Sequence, residues 1–299
     1  MQRLILEKVT RNYDFRGGLG RAGFVVAALE LERPFLAPLY AFAAIGAPTA
    51  LRPIPVYILL VMQHLVRRLK VSRHYGCAVP RTKRATPFRV DAKAEGQEVR
   101  VGGWHPHLVE GKIVKHLSRW FAVDLNAENA PWAFDRKGEP YRRIASLEAM
   151  ATLLGYMAFV GEAPAGKLQR VSAILPSWTD NRGNSFALNR LTSGKFPLGC
   201  LAMELAEQMA KHCTRLTVSW APRDVNQEAD DLSNGLFEGF SEELRVPMVM
   251  KEVKWELLPD LLRDGEAYYH ELAALRAANP PRLAKRQKKE EALRIRDPW

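Results

Sequence analysis

The sequence predicts an α/β protein with a mixed five-stranded sheet, helices on both faces and a helical N-terminal region. Three observations lead there. From Phe88 to Leu125 three strand-like runs follow one another across short polar turns. Two further apolar runs, RVSAILPSW from Arg170 and TRLTVSW from Thr214, are separated by helical patterns. Before residue 76, apolar side chains recur at helical spacing and prolines break the pattern. Three antiparallel strands followed by crossover units give a mixed sheet covered on both sides.

The elements follow in order. GLGRAGFVVAALELE from Gly18 is a helix, and Pro34 and Pro38 punctuate what comes next. Prolines at 48, 53 and 55 mark a second break before the apolar helix IPVYILLVMQHLV, which closes on a basic cluster and Gly76. VPRTKRATP from Val79 reads as a basic linker. FRVDAKAEG is a strand meeting a turn, and EVRVGGWHPHLVEGKIVKHLSRWFAVDL supplies two strands around a VEGK hairpin turn. RIASLEAMATLLGYMAFVG is a strong helix with Leu147, Met150, Ala151, Leu154 and Phe159 near one face and Ser146 as its cap. After the strand RVSAILPSW come a short helix, NRGNSFALNRLTSG, and a long one, PLGCLAMELAEQMAKHC. TRLTVSW is the last strand and QEADDLSNG the closing helix. WELLPDLLRDGEAYYHELAALRAAN adds one or two helices, and the basic end PPRLAKRQKKEEALRIRDPW is too poor in apolar residues to fold. The expected divisions are 1–78, a helical region; 79–87, a linker; 88–239, the α/β domain; 240–275, a helical extension; and 276–299, a disordered tail.

With 299 residues, 47% of them hydrophobic, the chain can bury a large core. The net charge of +11 is uneven. Residues 1–90 hold 15 Lys/Arg against 4 Asp/Glu, residues 91–275 hold 21 against 26, and residues 276–299 hold 8 against 3. A mildly acidic centre between basic arms suits a metal-dependent nuclease gripping nucleic acid, and also an ordinary acidic domain with a basic tail. Cys77, Cys200 and Cys213 show no CxxC spacing, which argues against a zinc site or a disulfide framework. No secretory signal is visible, so an intracellular compartment is expected. The longest apolar run is too short to span a bilayer, so no membrane is expected as a partner.

Four acids stand at informative places. Asp91 lies in the first strand of the domain, Glu148 in the first turn of its first helix, Asp180 at the end of the fourth strand, and Asp230 at the start of the closing helix. Thr152 and Gly155 share the face of Glu148 and are expected to leave it open. Each acid alone has a plain structural reading: Asp91 as a turn residue, Glu148 as a solvated helix acid, Asp180 as a helix cap, Asp230 or Asp231 as a complement to the helix dipole. In this element order they predict a carboxylate cluster. Two divalent cations held by such a cluster can activate water and stabilise a leaving 3′-oxygen. Mg²⁺ prefers hard oxygen ligands, with Mn²⁺ as its substitute. The acids repel one another without metal, so metal is expected to stabilise the fold.

The segment from about Arg89 to Gly235 resembles the ribonuclease H domain of retroelement reverse transcriptases. VDAKAEG with VGGW is similar to its first strand and following hairpin, SLEAMATLL to the helix with the glutamate, TDNRGNSF to the third motif, and NQEADDLS to the fourth, N-x-x-A-D-x-L. The last alignment selects Asp230 over Asp231. The upstream GLGRAGF…RPFLAPLYAF resembles the thumb or connection region of DIRS-type and related protist retroelement reverse transcriptases, and RIRDPW a polyprotein end. The resemblance implies two Mg²⁺ ions on Asp91, Glu148, Asp180 and Asp230, nucleic-acid contacts from Arg182, Asn184 and Arg223, and hydrolysis of the RNA strand of an RNA–DNA hybrid. It also implies a partner in the polymerase portion of the same element. No YxDD-type strand precedes Asp91, so this chain is not expected to polymerise DNA. Cellular ribonuclease H proteins carry a histidine in the loop before the last aspartate; WAPRDVN has none, and Arg223 takes that neighbourhood. The alternative is the same fold as a catalytically inactive nucleic-acid scaffold from a degenerate or domesticated element. Integrases and transposases share the fold, but the D-E-D-D order with ADxL suits them less.

Other features point nowhere further. His105 and His107 read as hairpin surface residues. Trp104, Trp120, Trp132, Trp178 and Trp220 read mostly as core, although any of them exposed could stack on bases. The absence of a phosphate-binding loop with Lys-Ser/Thr excludes nucleoside triphosphate hydrolysis of that type.

Overall fold

A computed structural model describes residues 1–47, 49–71, 86–134, 138–160, 173–212 and 214–278. The linker expected at 79–87 lies mostly outside these residues, as do Cys77, Cys213 and all but the first three residues of the basic tail.

The N-terminal region is helical. Helices α1 (Gln2–Glu7), α2 (Asn12–Ala27), α3 (Leu36–Ala43) and α4 (Val56–Val71) surround a small antiparallel pair, β1 (Val9–Arg11) with β2 (Leu51–Pro53). Helix α2 begins six residues earlier than the apolar spacing suggested, because Asn12 is buried and its amide donates to Ile45 O and Gly46 O.

The main sheet consists of β3 (Phe88–Glu95), β4 (Glu98–Val109), β5 (Lys112–Leu125), β6 (Ala173–Thr179) and β7 (Thr214–Trp220), in the order β5-β4-β3-β6-β7. The β3–β4 and β4–β5 pairs are antiparallel, and β6 runs parallel to both β3 and β7. This is the mixed five-stranded sheet expected from the sequence. The VEGK turn holds as read: Glu110 and Gly111 take φ of 50° and 79°, the two positive values that a tight two-residue hairpin requires.

Between strands lie α5 (Pro131–Phe134), α6 (Ile144–Phe159), α7 (Arg182–Arg190) and α8 (Leu198–Lys211); α9 (Gln227–Ser233) and α10 (Leu258–Ala278) follow β7. Helix α6 starts at Ile144, so Ser146 is inside it and does not cap it. The C-terminal helical pattern is one helix, α10. Its N-terminus is capped from α8, where the buried Glu204 carboxylate accepts from the amides of Glu256, Leu257 and Leu258.

One hydrophobic core runs from α1–α4 through the sheet to α8 and α10. Polar contacts follow it: Tyr57 on α4 meets Cys200 on α8, and His64 and Arg68 both reach Glu207. Residues 240–246 likewise pack on β5, where Trp120 Nε1 donates to Ser241 O and Val246 N donates to Trp120 O. Continuous packing therefore crosses the divisions expected at 78 and 239.

Candidate active site

Asp91 lies in the middle of β3 and is only 3% exposed. The β3–β6 register pairs Phe88 with Ser177 and Arg89 with Trp178. Two residues further along both parallel strands come Asp91 and Asp180. Glu148 enters from α6 and is 5% exposed. One carboxylate oxygen from each of Asp91, Glu148 and Asp180 lies within 4.8 Å of the others. Asp230 stands at the rim, tied to this group through Arg223, whose Nε lies 3.4 Å from Asp180 Oδ2 and 3.6 Å from Asp230 Oδ1.

Local sequence explains the placement. Asp91 pairs across β3–β4 with Gly102, and Val90 with Gly103. Successive strand residues face opposite sides, so the Gly-Gly pair opens both faces at one level. A Cβ on Gly102 would come within 2.9 Å of Leu232 and of the Ser233 amide; its absence lets α9 lie directly on β4. A Cβ on Gly103 would strike Val90 and Phe121 on the other face. Gly155 of α6 is equally close to Val90 and Phe88. The face shared by Glu148, Thr152 and Gly155 is thus packed onto the sheet and not open. Small residues there mark a close helix–strand approach.

The N-x-x-A-D-x-L spacing has a physical account. Asn226 is buried and its amide donates to Val90 O. Ala229 and Leu232 are fully buried with Trp104 and Trp120. Arg89 lies over Trp104 and Trp178, donates to Val225 O and pairs with Glu228. These contacts fix α9 so that Asp230 turns toward the acids. Asp231 turns away, toward Lys115 and Gln227.

Two hydroxyls orient the buried acids, and sequence reading found neither. Ser233 Oγ donates to Asp91 Oδ2 at 2.5 Å. Thr179 Oγ1 donates to Glu148 Oε2 at 3.3 Å. Their only sequence signal is a hydroxyl residue near a motif acid, Thr179 one residue before Asp180 and Ser233 three after Asp230. Burial pushes the Asp91 carboxyl up to about 6; the Ser233 hydrogen bond opposes this, and the nearby Asp180 and Asp230 add to it. Burial, then Asp91 and Asp180, push Glu148 well above the usual carboxylate range. Asp230 and Asp180 raise Arg223.

The remaining expectations divide. Asp180 caps nothing, because the α7 cap is Asn181, whose side chain accepts from Asn184 N at 3.0 Å. Arg182 is exposed at the start of α7. Asn184 is enclosed, and its amide donates to Ala145 O at 2.7 Å, tying α7 to α6 instead of facing solvent. Trp104, Trp120 and Trp132 are buried, whereas Trp220 is exposed and donates to Asp180 O.

The residues fit hard divalent cations. The ligand set is all carboxylate oxygen, the set Mg²⁺ and Mn²⁺ favour. Asp91 Oδ1 is buried without a hydrogen-bond partner, a costly state for a carboxylate oxygen unless it coordinates a cation.

No family model matches the chain, and no curated protein matches it. Among solved structures, it is similar to the crystal structure of RNase H1 from the halophilic archaeon Halobacterium salinarum NRC-1, at 15% identity and a TM-score of 0.31, over 50% of this chain and 96% of that one. No helix among the described residues is long and apolar enough to cross a membrane.

Proposed function

We propose that the chain is a metal-dependent endonuclease that hydrolyses the RNA strand of RNA–DNA hybrids. The observation that carries this is the convergence of Asp91, Glu148 and Asp180 within 4.8 Å, with the partnerless Asp91 Oδ1 among them. Asp91, Glu148, Asp180 and Asp230 would hold two Mg²⁺ ions. When bound, such ions supply an activated water and stabilise the leaving 3′-oxygen.

The protein's own residues prepare that chemistry. Ser233 engages one oxygen of Asp91 and leaves the other for coordination. Thr179 steadies Glu148. Arg223, 71% exposed on its side chain, spans Asp180 and Asp230 and can turn its remaining N–H groups to a phosphate oxygen. Choice of the RNA strand rests on its 2′-hydroxyls and helix shape. The motifs from Asp91 to Asp230 also support a place in a retroelement reverse transcriptase, and the upstream GLGRAGF…RPFLAPLYAF one of DIRS type or a related protist element, with the polymerase portion as partner.

The test is cleavage of a labelled RNA–DNA hybrid with Mg²⁺, Mn²⁺ or EDTA, using double-stranded DNA and RNA as controls. Cleavage should require metal and spare both controls. Asp180→Asn should abolish it and keep hybrid binding; a variant with near wild-type activity would remove Asp180 from the site. A second reading, an inactive nucleic-acid scaffold, is favoured by Arg223 lying across Asp180 and Asp230. There, wild type and variant would both bind and neither would cleave.

A further inference from the structure

A cleft of about 460 Å³ lies between the start of α6, the loop before α8 and one face of α10. Arg142, Arg143, Lys195, His270 and Arg276 line it, against one acid, Glu266. Arg143 is buried and structural, donating to Phe196 O, and Arg142 is paired with Glu139. Lys195, His270 and Arg276 make no ion pair among the described residues. The first turns of α6 and α8 both reach the cleft, and neither helix has a side-chain cap, so the positive ends of two helix dipoles add to the cations. The loop is held close: a Cβ on Gly199 would meet Ser193 O at 2.9 Å.

We propose that this cleft is a second anchor for a nucleic-acid strand, binding backbone phosphates through Lys195 and Arg276. It rests on the reading of the acids as a nucleic-acid site and names where the strand is held beside them. Three features favour a strand over a small anion. The cleft is larger than one phosphate needs. Its cations are spread over separate elements. Ala145 lines it three residues before Glu148, on the same face of α6, so one strand can pass from the acids into the cleft. The acids themselves repel phosphate without metal, and a cationic anchor beside them supplies the missing attraction.

The test is binding of a fluorescent RNA–DNA hybrid to the full chain in EDTA across a salt series, so that no cleavage intrudes. Lys195→Ala with Arg276→Ala should weaken binding roughly tenfold or more at low salt and reduce the log–log salt slope by about 1.8, two phosphate contacts' worth. The melting temperature should not change, because both side chains are exposed. Lys251→Ala with Lys254→Ala, an equal change of charge elsewhere, should have a much smaller effect. Unchanged affinity and slope in the first variant would overturn the anchor. So would loss of pyrophosphate binding with hybrid binding intact, which would make the cleft a small-anion site. A wild type that binds through the cleft and never cleaves would sink the nuclease reading and leave the anchor standing; cleavage with no effect of the variants would do the reverse.

Discussion

Ser233 Oγ donates a 2.5 Å hydrogen bond to Asp91 Oδ2, while Asp91 Oδ1 is buried with no partner. The asymmetry gives the two oxygens different work. One is fixed by the last residue of α9, and the other is held ready for a cation. It also makes Asp91 a charged group that the metal-free fold shelters poorly.

Stability without metal should therefore depend on pH in a definite direction. The folded Asp91 carboxyl is raised from 3.8 to about 6, so between those values the native state binds more protons than the unfolded chain. Stability then falls as pH rises through this window, by about 3 kcal/mol for this group. Glu148 is shifted the same way. In EDTA, wild type should lose stability from pH 4 to above 6, and Asp91→Asn should lose less. Ser233→Ala removes a bond that lowers the Asp91 value, so its decline should extend to higher pH. Saturating Mg²⁺ should recover the loss at neutral pH. Denaturation midpoints that follow one pH curve in wild type and Asp91→Asn would refute this account.

Asp230 and Asp231 separate the site from its surroundings. Adjacent helical residues point about 100° apart, and only Asp230 approaches Arg223 and the buried acids. Asp230→Asn should lower hybrid cleavage by roughly a hundredfold or more, the scale of a lost transition-state contact. Asp231→Asn should change it by less than about threefold, since its partner Lys115 forms a surface pair. Comparison of kcat for the two variants decides the matter, and a reversed order would shift the register of α9.

Much of this was readable in advance because it is local. The VEGK turn, the five strands and the register of α9 follow from turn chemistry and from Ala229 and Leu232 lying three residues apart. What was missed depends on approach between distant elements. Gly155 looked like an opening beside Glu148, yet it is where α6 touches Val90 and Phe88. Asn184 looked available to nucleic acid, yet Ala145 across the α6–α7 junction takes its amide. Ser233 carries no periodicity that would mark it, because its role arises only when α9 settles on Gly102. The plain readings of Asp91 as a turn residue and Glu148 as a solvated helix acid missed their burial, since burial of a charge is decided by what packs over it.

Gly102 provides the test of that packing. A methyl group there would overlap Leu232 and the Ser233 amide on α9, while the same change at Gly103 presses on Val90, Phe121 and Arg89 O. Both Gly102→Ala and Gly103→Ala should cost about 1–3 kcal/mol in chemical denaturation. Only Gly102→Ala should also displace α9 and weaken Mn²⁺ binding measured by calorimetry, because it moves Ser233 away from Asp91 and Asp230 away from the cluster. Equal metal affinity in both variants would show that α9 does not set the geometry of the acids.

Arg223 holds two roles that can be pulled apart by their signs. Without metal, its guanidinium spans Asp180 and Asp230 and competes with any cation drawn to them. Because the side chain is 71% exposed, solvent weakens this competition to within about 1 kcal/mol. Arg223→Gln should therefore tighten metal binding only modestly, by up to roughly fivefold. Cleavage should move the other way. With a hybrid bound, the guanidinium is free to hold a phosphate oxygen by charge-assisted hydrogen bonds, so losing it should reduce kcat/KM by about tenfold or more. Calorimetry with Mn²⁺ and a cleavage assay on the same variant give the two signs. If metal affinity and cleavage rose together, Arg223 would act only as an inhibitory counter-ion. If both fell, its place would be to arrange the acids and not to contact the strand.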